Sequence, residues 1–294
     1  MKAFLAEYAI LHEPALAKEG EAMLTVLKQS FERCGYEVIT PMRGNFEVEI
    51  QRLAHECDVG LIIAPDHLLS HFTKILEEQT HNIGCGSLTA ALCANKQKTG
   101  KILFSHGIAV PDEPGEGLKV IKPILGCGSI GVRLTNDETR EGEFSQRYID
   151  GEHVSVSLIG SRVVGEACLY FSGNSPLPLA VNRQFIDIRD GFFSYNGGET
   201  PIIHQRQDDL IDTGKKVISI LGCQGYVGVD MVIADKIYVV DVNPRITTSL
   251  IGIAAVMEEE IADLLVRASK GDLPNVVHLF GHVRFQKDGR IFTK

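Results

Sequence analysis

Two acids and one amide, Asp230, Asp241 and Asn243, stand inside the two apolar runs that flank Asp235-Lys236 in residues 225–244, GYVGVDMVIADKIYVVDVNP. Side chains alternate along a strand, so Asp241 and Asn243, two apart, share one face. With Asp235-Lys236 as a tight turn, the two β-branched runs pair so that Ala234 faces Ile237, Asp230 faces Asp241 and Gly228 faces Asn243. Cross-strand partners hold their Cβ atoms about 5 Å apart. Two carboxylates that close repel unless a proton or a cation lies between them. An all-oxygen set of two carboxylates and an amide suits Mg2+ or Mn2+ rather than zinc. Ordinary solvated strand acids would leave the same letters, and a register slip of one residue would separate the pair.

A second group of residues is suited to phosphate. Lys122 ends the strand-like KVIK and runs into PILGCGSIGV. Gly126, Gly128 and Gly131 allow backbone N–H groups to close around an anion, Ser129 adds a hydroxyl, and the lysine adds a point charge. The spacing is neither a Walker loop nor a dinucleotide fingerprint. A hairpin turn beside a solvated lysine gives the same pattern. Lys96 opens a basic amphipathic segment, NKQKTGKILFSHG, in which an exposed helical lysine is the plain alternative. His106, near its end, suits the negative end of the helix dipole.

The elements that must position these residues fall into three textures. Up to about residue 93 the chain alternates: KAFLAEYAI as a strand, then PALAKEGEAMLTVLKQSFERCGY with helical spacing at Leu16, Met23, Leu24, Leu27 and Phe31, stopped by Gly35. EVIT, FEVEIQRLAHECD, VGLIIAP and HLLSHFTKILEEQT continue as strand, helix, strand and helix. That order predicts a parallel sheet with right-handed crossovers. Residues 94–150 read as a helix ended by Gly107, an extended IAVPDE, the strand KVIKPIL, the glycine-rich connection and EFSQRYIDG. From 151 on, HVSVSLIG and RVVGEACLYF read as strands and 172–200 as a polar loop. DDLIDTGKKVISILG is a helix, the Asp-bearing hairpin follows, and SLIGIAAVMEEEIADLLVRASKG reads as one long helix. The expected domains are therefore 1–93, 94–150 and 151–294. No internal repeat or low-complexity tract is evident.

The bulk composition bounds the function. The chain has 294 residues, 44% hydrophobic and 23% charged, enough for two or three small domains with a sizeable core. A net charge of −9, from 38 acids against 29 bases, argues against nucleic acid as the main partner. The seven cysteines are odd in number and form no CxxC pair, so they read as small core residues in a reducing cytoplasm, and neither a disulfide framework nor zinc is expected. The first twenty residues carry charges throughout and do not resemble a signal peptide. No stretch reaches the ~18 apolar residues of a membrane span.

Four segments in this order, NKQKTGKILFSHGIAVP, VIKPILGCGSIGV, QRYIDGEHVSVSLI and VDMVIADKIYVVDVNPR, together resemble the ATP-grasp superfamily over about residues 94–255. The N-terminal α/β segment fits that family's first domain. The resemblance implies an α/β fold with three parts: a parallel N-terminal domain, a central α+β lid domain and a C-terminal antiparallel domain. It implies ATP and Mg2+ or Mn2+ as cofactors. By position, Lys96 and Lys122 match the lysines that approach the ATP phosphates, and Gly126, Gly128, Ser129 and Gly131 match the lid over them. The backbone of Arg147, Tyr148 and Ile149 matches the linker that reads the adenine edge. Asp230, Asp241 and Asn243 match the metal-binding residues, and Arg245 stands where the family often faces its acyl substrate.

The chain also departs from the family pattern. Gln146 stands where many relatives have Glu. His153 stands at the ribose acid's position, with Glu152 one residue early. Gly228 stands where many relatives have an arginine, for which Arg183 in LAVNRQFI is the candidate replacement, a surface loop arginine being the alternative. Within the superfamily, FLAEYAI, LPLAVNRQFI, YNGGETPI and VNPRITTSLIGI are similar to the branch that joins glutamate to tyramine in methanofuran biosynthesis.

That resemblance implies a carboxylate–amine ligase working through an acyl phosphate. Glutamate would donate its γ-carboxylate and a tyramine-like amine would accept it, with Arg245 and Arg183 suited to carboxylates. Phe185, Phe192, Phe193 and Tyr195 would cover a phenol ring, or simply anchor their loop. A tyrosine, pterin-type or peptide acceptor, or a nucleotide-binding regulator without catalysis, are the alternatives. The intact Asp/Asp/Asn set speaks against the regulator. A cytoplasmic enzyme with small-molecule partners, no nucleic acid and no membrane is expected, with room for a homodimer.

Overall fold

The computed structural model describes residues 1–115, 117–126, 128–161, 164–166, 169–171 and 175–293. Its first part is a parallel sheet in the order β2 (Glu37–Ile39), β1 (Lys2–Glu7), β3 (Val59–Ile63), β4 (His81–Asn82). The connections are helical: a short α1 (Ala9–His12) followed by α2 (Ala17–Arg33), then α3 (Phe46–Ala54) and α4 (Asp66–Gln79). The apolar spacing explains α2, which buries Met23, Leu27 and Phe31 and stops before Gly35 at φ 81°. Asn45 caps α3 by accepting the Val48 N–H at 3.2 Å. All of β3 is buried, as an all-apolar strand between two helical layers must be.

Two helices not separated by a strand follow. These are α5 (Ser87–Ala94), which the sequence reading did not distinguish, and α6 (Lys96–Ser105), stopped by Gly107 at φ 80°. Asn95 caps α6 through the Lys98 N–H at 2.9 Å, so Lys96 is its first residue.

The rest of the described chain is dominated by one antiparallel sheet. It contains β5 (Lys119–Pro123), β6 (Arg133–Thr135), β7 (Glu143–Arg147), β8 (Glu152–Gly160), β11 (Leu177–Arg189), β12 (Phe192–Thr200), β13 (Gly225–Ile233) and β14 (Ile237–Asn243). The order is β14-β13-β8-β11-β12-β6-β5-β7. A separate two-stranded piece, β9 (Val164–Glu166) and β10 (Leu169–Phe171), lies between β8 and β11 in sequence. The three strands of the 94–150 segment join the others through one residue pair, Phe192 with Arg133. Helix α7 (Gln207–Leu221) covers one face over Val154, Val156, Leu158 and Val229. It ends at Gly222 in the left-handed region. On the opposite side Tyr226 joins a core that includes Leu27 of α2 and Leu61 of β3, so the parallel and antiparallel sheets share buried surface. Each fully buried Leu, Ile or Phe there contributes about 2 kcal/mol of apolar transfer.

Three expectations are corrected. Of the polar loop expected over 172–200, residues 172–174 lie outside the described residues, and 177–200 is not a loop: β11 and β12 occupy it, with nine and more residues each, and pair from Arg183–Glu199 to Arg189–Phe192. Their polar letters arise mainly because their far ends are exposed, at Asp187, Arg189, Asp190, Ser194 and Asn196. The long helix expected over 249–271 is two helices, α8 (Ser249–Ala254) and α9 (Ile261–Ser269). Two of the three glutamates between them find tertiary partners: Glu260 bonds Ser30 and Arg33 of α2, and Glu259 bonds His278. The hairpin turn is three residues, with Ile233 opposite Ile237, rather than two. An extra residue at Val240 then bulges out, and Asp230 is returned to Asp241 and Gly228 to Asn243 as expected. The C-terminal β15 (Val283–Phe285) adds to β12 and pairs with β16 (Ile291–Thr293).

Cys57, Cys85, Cys93 and Cys223 are buried and Cys34 is half-buried; Cys127 and Cys168 lie outside the described residues. No helix among the described residues is long and apolar enough to cross a membrane.

Candidate active site

A cavity opens between the β5–β7 strands and the β13–β14 hairpin and extends to α2 and the start of α8. Its floor is a chain of alternating charges. Asp230 accepts the Gln184 amide at 2.9 Å and the Asn243 amide at 3.0 Å. Asp241 holds the Lys96 ammonium with both oxygens, at 2.6 and 2.7 Å. Lys96 lies 3.4 Å from Asp66, the first residue of α4, whose other oxygen accepts Arg245 Nε at 2.9 Å. Arg245 Nη2 reaches Asn243 Oδ1 at 3.5 Å. Asp66 is only 2% exposed. The N-terminal sheet thus supplies the carboxylate that joins Lys96 to Arg245. The signal for it was readable: an acid opening a helix directly after a buried parallel strand, at the edge where such sheets bind ligands.

Burial and charge act in opposite directions on these groups. Burial alone would depress the Lys96 ammonium, but Asp241 and Asp66 outweigh it and raise its pKa above the ordinary lysine value. Burial likewise opposes ionisation of Asp241, yet Lys96 and Lys122 hold it below the usual carboxylate range. For Asp230 the balance is reversed: burial, with Asp241 repelling it, outweighs Lys96 and the two amides and pushes it up to about 7. Lys122 is pulled down to about 8, because burial exceeds the attraction of Asp241. Its ammonium donates to the carbonyl of Val240 at 3.1 Å, the bulged residue of β14. The bulge thus serves twice, restoring the acid pair and turning a carbonyl toward Lys122.

Of the residues singled out by sequence, Lys96, Lys122, Gly126, Gly128, Ser129, Gln146, Arg147, Tyr148, Ile149 and His153 all line this cavity, with Asp230, Asp241, Asn243 and Arg245. Ser129 has φ 61°, between Gly128 at 64° and Gly131 at 75°. A non-glycine residue in the left-handed region is strained, which fits a loop shaped for a ligand. Burial and the charge of Lys122 lower the His153 pKa.

Three residues are not brought to the wall. Gly131 is set back from it. Glu152 and Arg183 are bonded to each other, and Arg183 also to Glu199, away from the cavity. Gln184, one residue on, takes the inward position instead. Arg183, the candidate for the arginine absent at Gly228, is thus held between two carboxylates in this structure. A Cβ at 228 would lie 2.7 Å from the Thr247 methyl, so any side chain there requires Thr247 to shift. Of the aromatics, Phe193 and Tyr195 line the cavity, whereas Phe185 packs under Arg284 and Phe192 is exposed.

A buried polar ladder missed by sequence reading supports the floor. Asn182 donates to Ser155 and Ser157, Thr200 donates to Asn182 at 2.6 Å, and Tyr226 bonds both Ser157 and Thr247 at 2.9 Å. Each of these groups finds a partner, as burial demands.

Among the described residues no cluster of three or more His, Cys, Asp and Glu is arranged to hold a metal. His67 and His71, four apart on α4, are exposed, and His71 bonds Glu47. The donor set here is two carboxylates and an amide. It suits a hard divalent cation, because the buried repulsion felt by Asp230 is what such a charge relieves.

The ATP-grasp domain family matches residues 93–249. The tyramine–L-glutamate ligase of Methanocaldococcus fervens is 32% identical over 80% of this chain and 71% of its own length. That of Methanocaldococcus jannaschii is also 32% identical, over 80% and 68%. A crystal structure of a protein from Archaeoglobus fulgidus described as ATP-grasp superfamily superposes with a TM-score of 0.77 at 28% identity, covering 97% of this chain and 92% of that one.

Proposed function

The chain belongs to the ATP-grasp family and is an ATP-dependent carboxylate–amine ligase; from that premise we propose that it joins the γ-carboxylate of L-glutamate to tyramine, a step of methanofuran biosynthesis. The observation that carries the reading is the floor of the cavity, where Lys96, Lys122 and Arg245 meet Asp230, Asp241 and Asn243 on one wall. The two tyramine–L-glutamate ligases at 32% identity support the substrate pair.

The triphosphate lies against Lys96, Lys122 and the 126–131 loop. The backbone of Arg147, Tyr148 and Ile149 meets the adenine edge, with Gln146 beside it, and His153 rather than Glu152 faces the ribose. Asp230, Asp241 and Asn243 would hold Mg2+ or Mn2+, which when bound would offset the charge of the phosphate oxygens. Arg245, steadied by Asp66, positions the attacking carboxylate. That carboxylate displaces ADP from the γ-phosphorus, forming an acyl phosphate. The neutral amine attacks the acyl carbon and inorganic phosphate leaves. The chain's part is positioning and charge neutralisation, with water excluded from the acyl phosphate. We place the work of binding ATP between the segments 94–150 and 151–294, with 1–93 closing the substrate end, in a cytoplasmic enzyme.

The test is ADP release with ATP, Mg2+ and a panel of carboxylate–amine pairs, with products read by mass spectrometry. Glutamate with tyramine should turn over fastest and give a γ-glutamyl amide. Turnover of another pair, with none for tyramine or tyrosine, removes the substrate assignment and leaves the ligase class.

A further inference from the structure

Three carboxylates line the cavity: Asp230, Asp241 and Glu19. The first two are engaged with Gln184, Asn243 and Lys96. Glu19 belongs to the first turn of α2, far from the others in sequence. Its carboxylate accepts the Thr248 hydroxyl at 2.6 Å. Among the described residues no Lys, Arg or His lies within 4.0 Å of it. A carboxylate offers about four acceptor positions, and a half-buried one facing a cavity with most of them open is a cation acceptor.

Its surroundings place it at the substrate end. Thr248 stands three residues after Arg245, and Thr247, Thr248 and Ser249 all line the same wall. Tyr195 is in hydrogen-bond contact with Thr248 and feels the charges of both Glu19 and Asp230, so the three groups are neighbours. The position is also rigid. Gly20, the next residue, presses on the Glu7 carboxylate, where a Cβ would come within 2.3 Å, so the start of α2 is pinned to the end of β1.

Resting on the ligase reading above, we propose that Glu19 binds the α-ammonium of the acyl-donor amino acid and makes the site select an α-amino dicarboxylate over the plain diacid. The chemistry separates the two amines in the reaction. The accepting amine must be neutral to attack, and a carboxylate partner would hold it protonated. The α-ammonium of the donor stays charged throughout and needs a fixed anion. Arg245 takes the reacting carboxylate, and Glu19 takes the opposite charge on the same molecule.

The test compares L-glutamate with glutarate as acyl donor, with ATP, Mg2+ and tyramine, in the full chain and in Glu19→Gln. A lost charge-assisted hydrogen bond lowers affinity by about 10- to 100-fold. The wild type should prefer glutamate by that factor in kcat/KM. Glu19→Gln should raise the KM for glutamate by a similar factor while the KM values for ATP and tyramine and the rate with glutarate stay within about twofold. Glu19→Asp, which keeps the charge, should restore part of the preference, and equal melting temperatures would show that all variants fold. An unchanged glutamate-to-glutarate ratio in Glu19→Gln overturns the assignment. So does a loss that falls on tyramine KM, or on kcat with a shifted pH profile, which would make Glu19 the partner of the other amine. A wild type inactive with glutamate overturns both this and the substrate pair, and is distinguishable because it precedes any variant.

Discussion

The two ends of the cavity are built on different rules. At the end proposed to hold the phosphates the charges are dense and already paired: Lys96 with Asp241 and Asp66, and Asp230 with two amides. At the α2 end a single acid, Glu19, accepts the hydroxyl of Thr248, which is also in contact with Tyr195. The first arrangement holds a shape ready for a highly charged ligand whatever the substrate. The second leaves one charge open, and an open charge discriminates between substrates. The difference teaches that common chemistry is placed in a closed electrostatic network, while specificity is left to a residue with unused capacity.

The two aspartates of the hairpin offer the sharpest break in this comparison. Asp241→Asn should lower the ligase rate by on the order of 1000-fold, the worth of several kcal/mol of charge stabilisation at the phosphates. Repulsion between the two acids alone would let the apo protein keep or gain stability on this change. Because Asp241 is ion-paired to buried Lys96, the opposite is expected: the apo melting temperature falls, as removing one partner strands the other. Asp230→Asn should also abolish turnover, yet leave apo stability equal or higher, since burial and Asp241 already disfavour its charge. Calorimetric melts of both variants without metal check this; the same sign in both would mean the Lys96 pair does not hold the floor.

A group outside the floor tests whether unpaired buried charge is tolerated elsewhere. Glu7, at the end of β1, accepts the Ile10 N–H at 2.8 Å, and burial pushes its pKa up to about 7 from 4.5. Below pH 4.5 it is protonated in both states and costs nothing. Between 4.5 and 7 the unfolded chain ionises first, so stability is lost as pH rises, by up to ~3 kcal/mol, and the loss is constant above 7. Glu7→Gln should match the wild type near pH 4 and exceed it at pH 8 in urea titrations. A difference independent of pH would show that Glu7 is charged in the fold throughout.

Smaller effects are expected around the network. Lys122→Ala should weaken binding of ATP with Mg2+ by roughly 30-fold, about 2 kcal/mol for a charged contact. Isothermal calorimetry reads this directly, and unchanged affinity would leave Lys122 as a support for the Val240 bulge alone. Asn182→Ala should cost ~1–2 kcal/mol of folding stability, because the hydroxyls of Ser155, Ser157 and Thr200 lose a shared partner in a dry site. Denaturant unfolding checks it, and a smaller loss would mean the ladder re-pairs without the amide.

The same contrast decides what the sequence disclosed. The phosphate end was legible because its parts are local: Asp230, Asp241 and Asn243 share one hairpin, Lys122 adjoins its glycine loop, and Lys96 opens its helix. The pairing of Asp230 with Asp241 was correct even though the turn is longer than expected, because the Val240 bulge restores the register. The substrate end was not legible. Glu19, Tyr195 and Thr248 come from α2, β12 and the approach to α8, and only the tertiary fold assembles them. In 177–200 the alternation was hidden because the far ends of β11 and β12 are exposed and carry polar residues such as Asp187, Arg189, Ser194 and Asn196. The helix expected through 255–260 broke because Glu259 and Glu260 bond His278 and α2, a tertiary influence that local propensity cannot report.

The central claim is that a substrate carboxylate becomes phosphorylated in this cavity. Glutamate labelled with oxygen-18 in its γ-carboxylate, incubated with the protein, ATP, Mg2+ and tyramine, tests it in one step through the mass of the phosphate released. The account predicts that each phosphate formed with ADP carries one labelled oxygen and that the amide retains the other. ADP accompanied by unlabelled phosphate would contradict it.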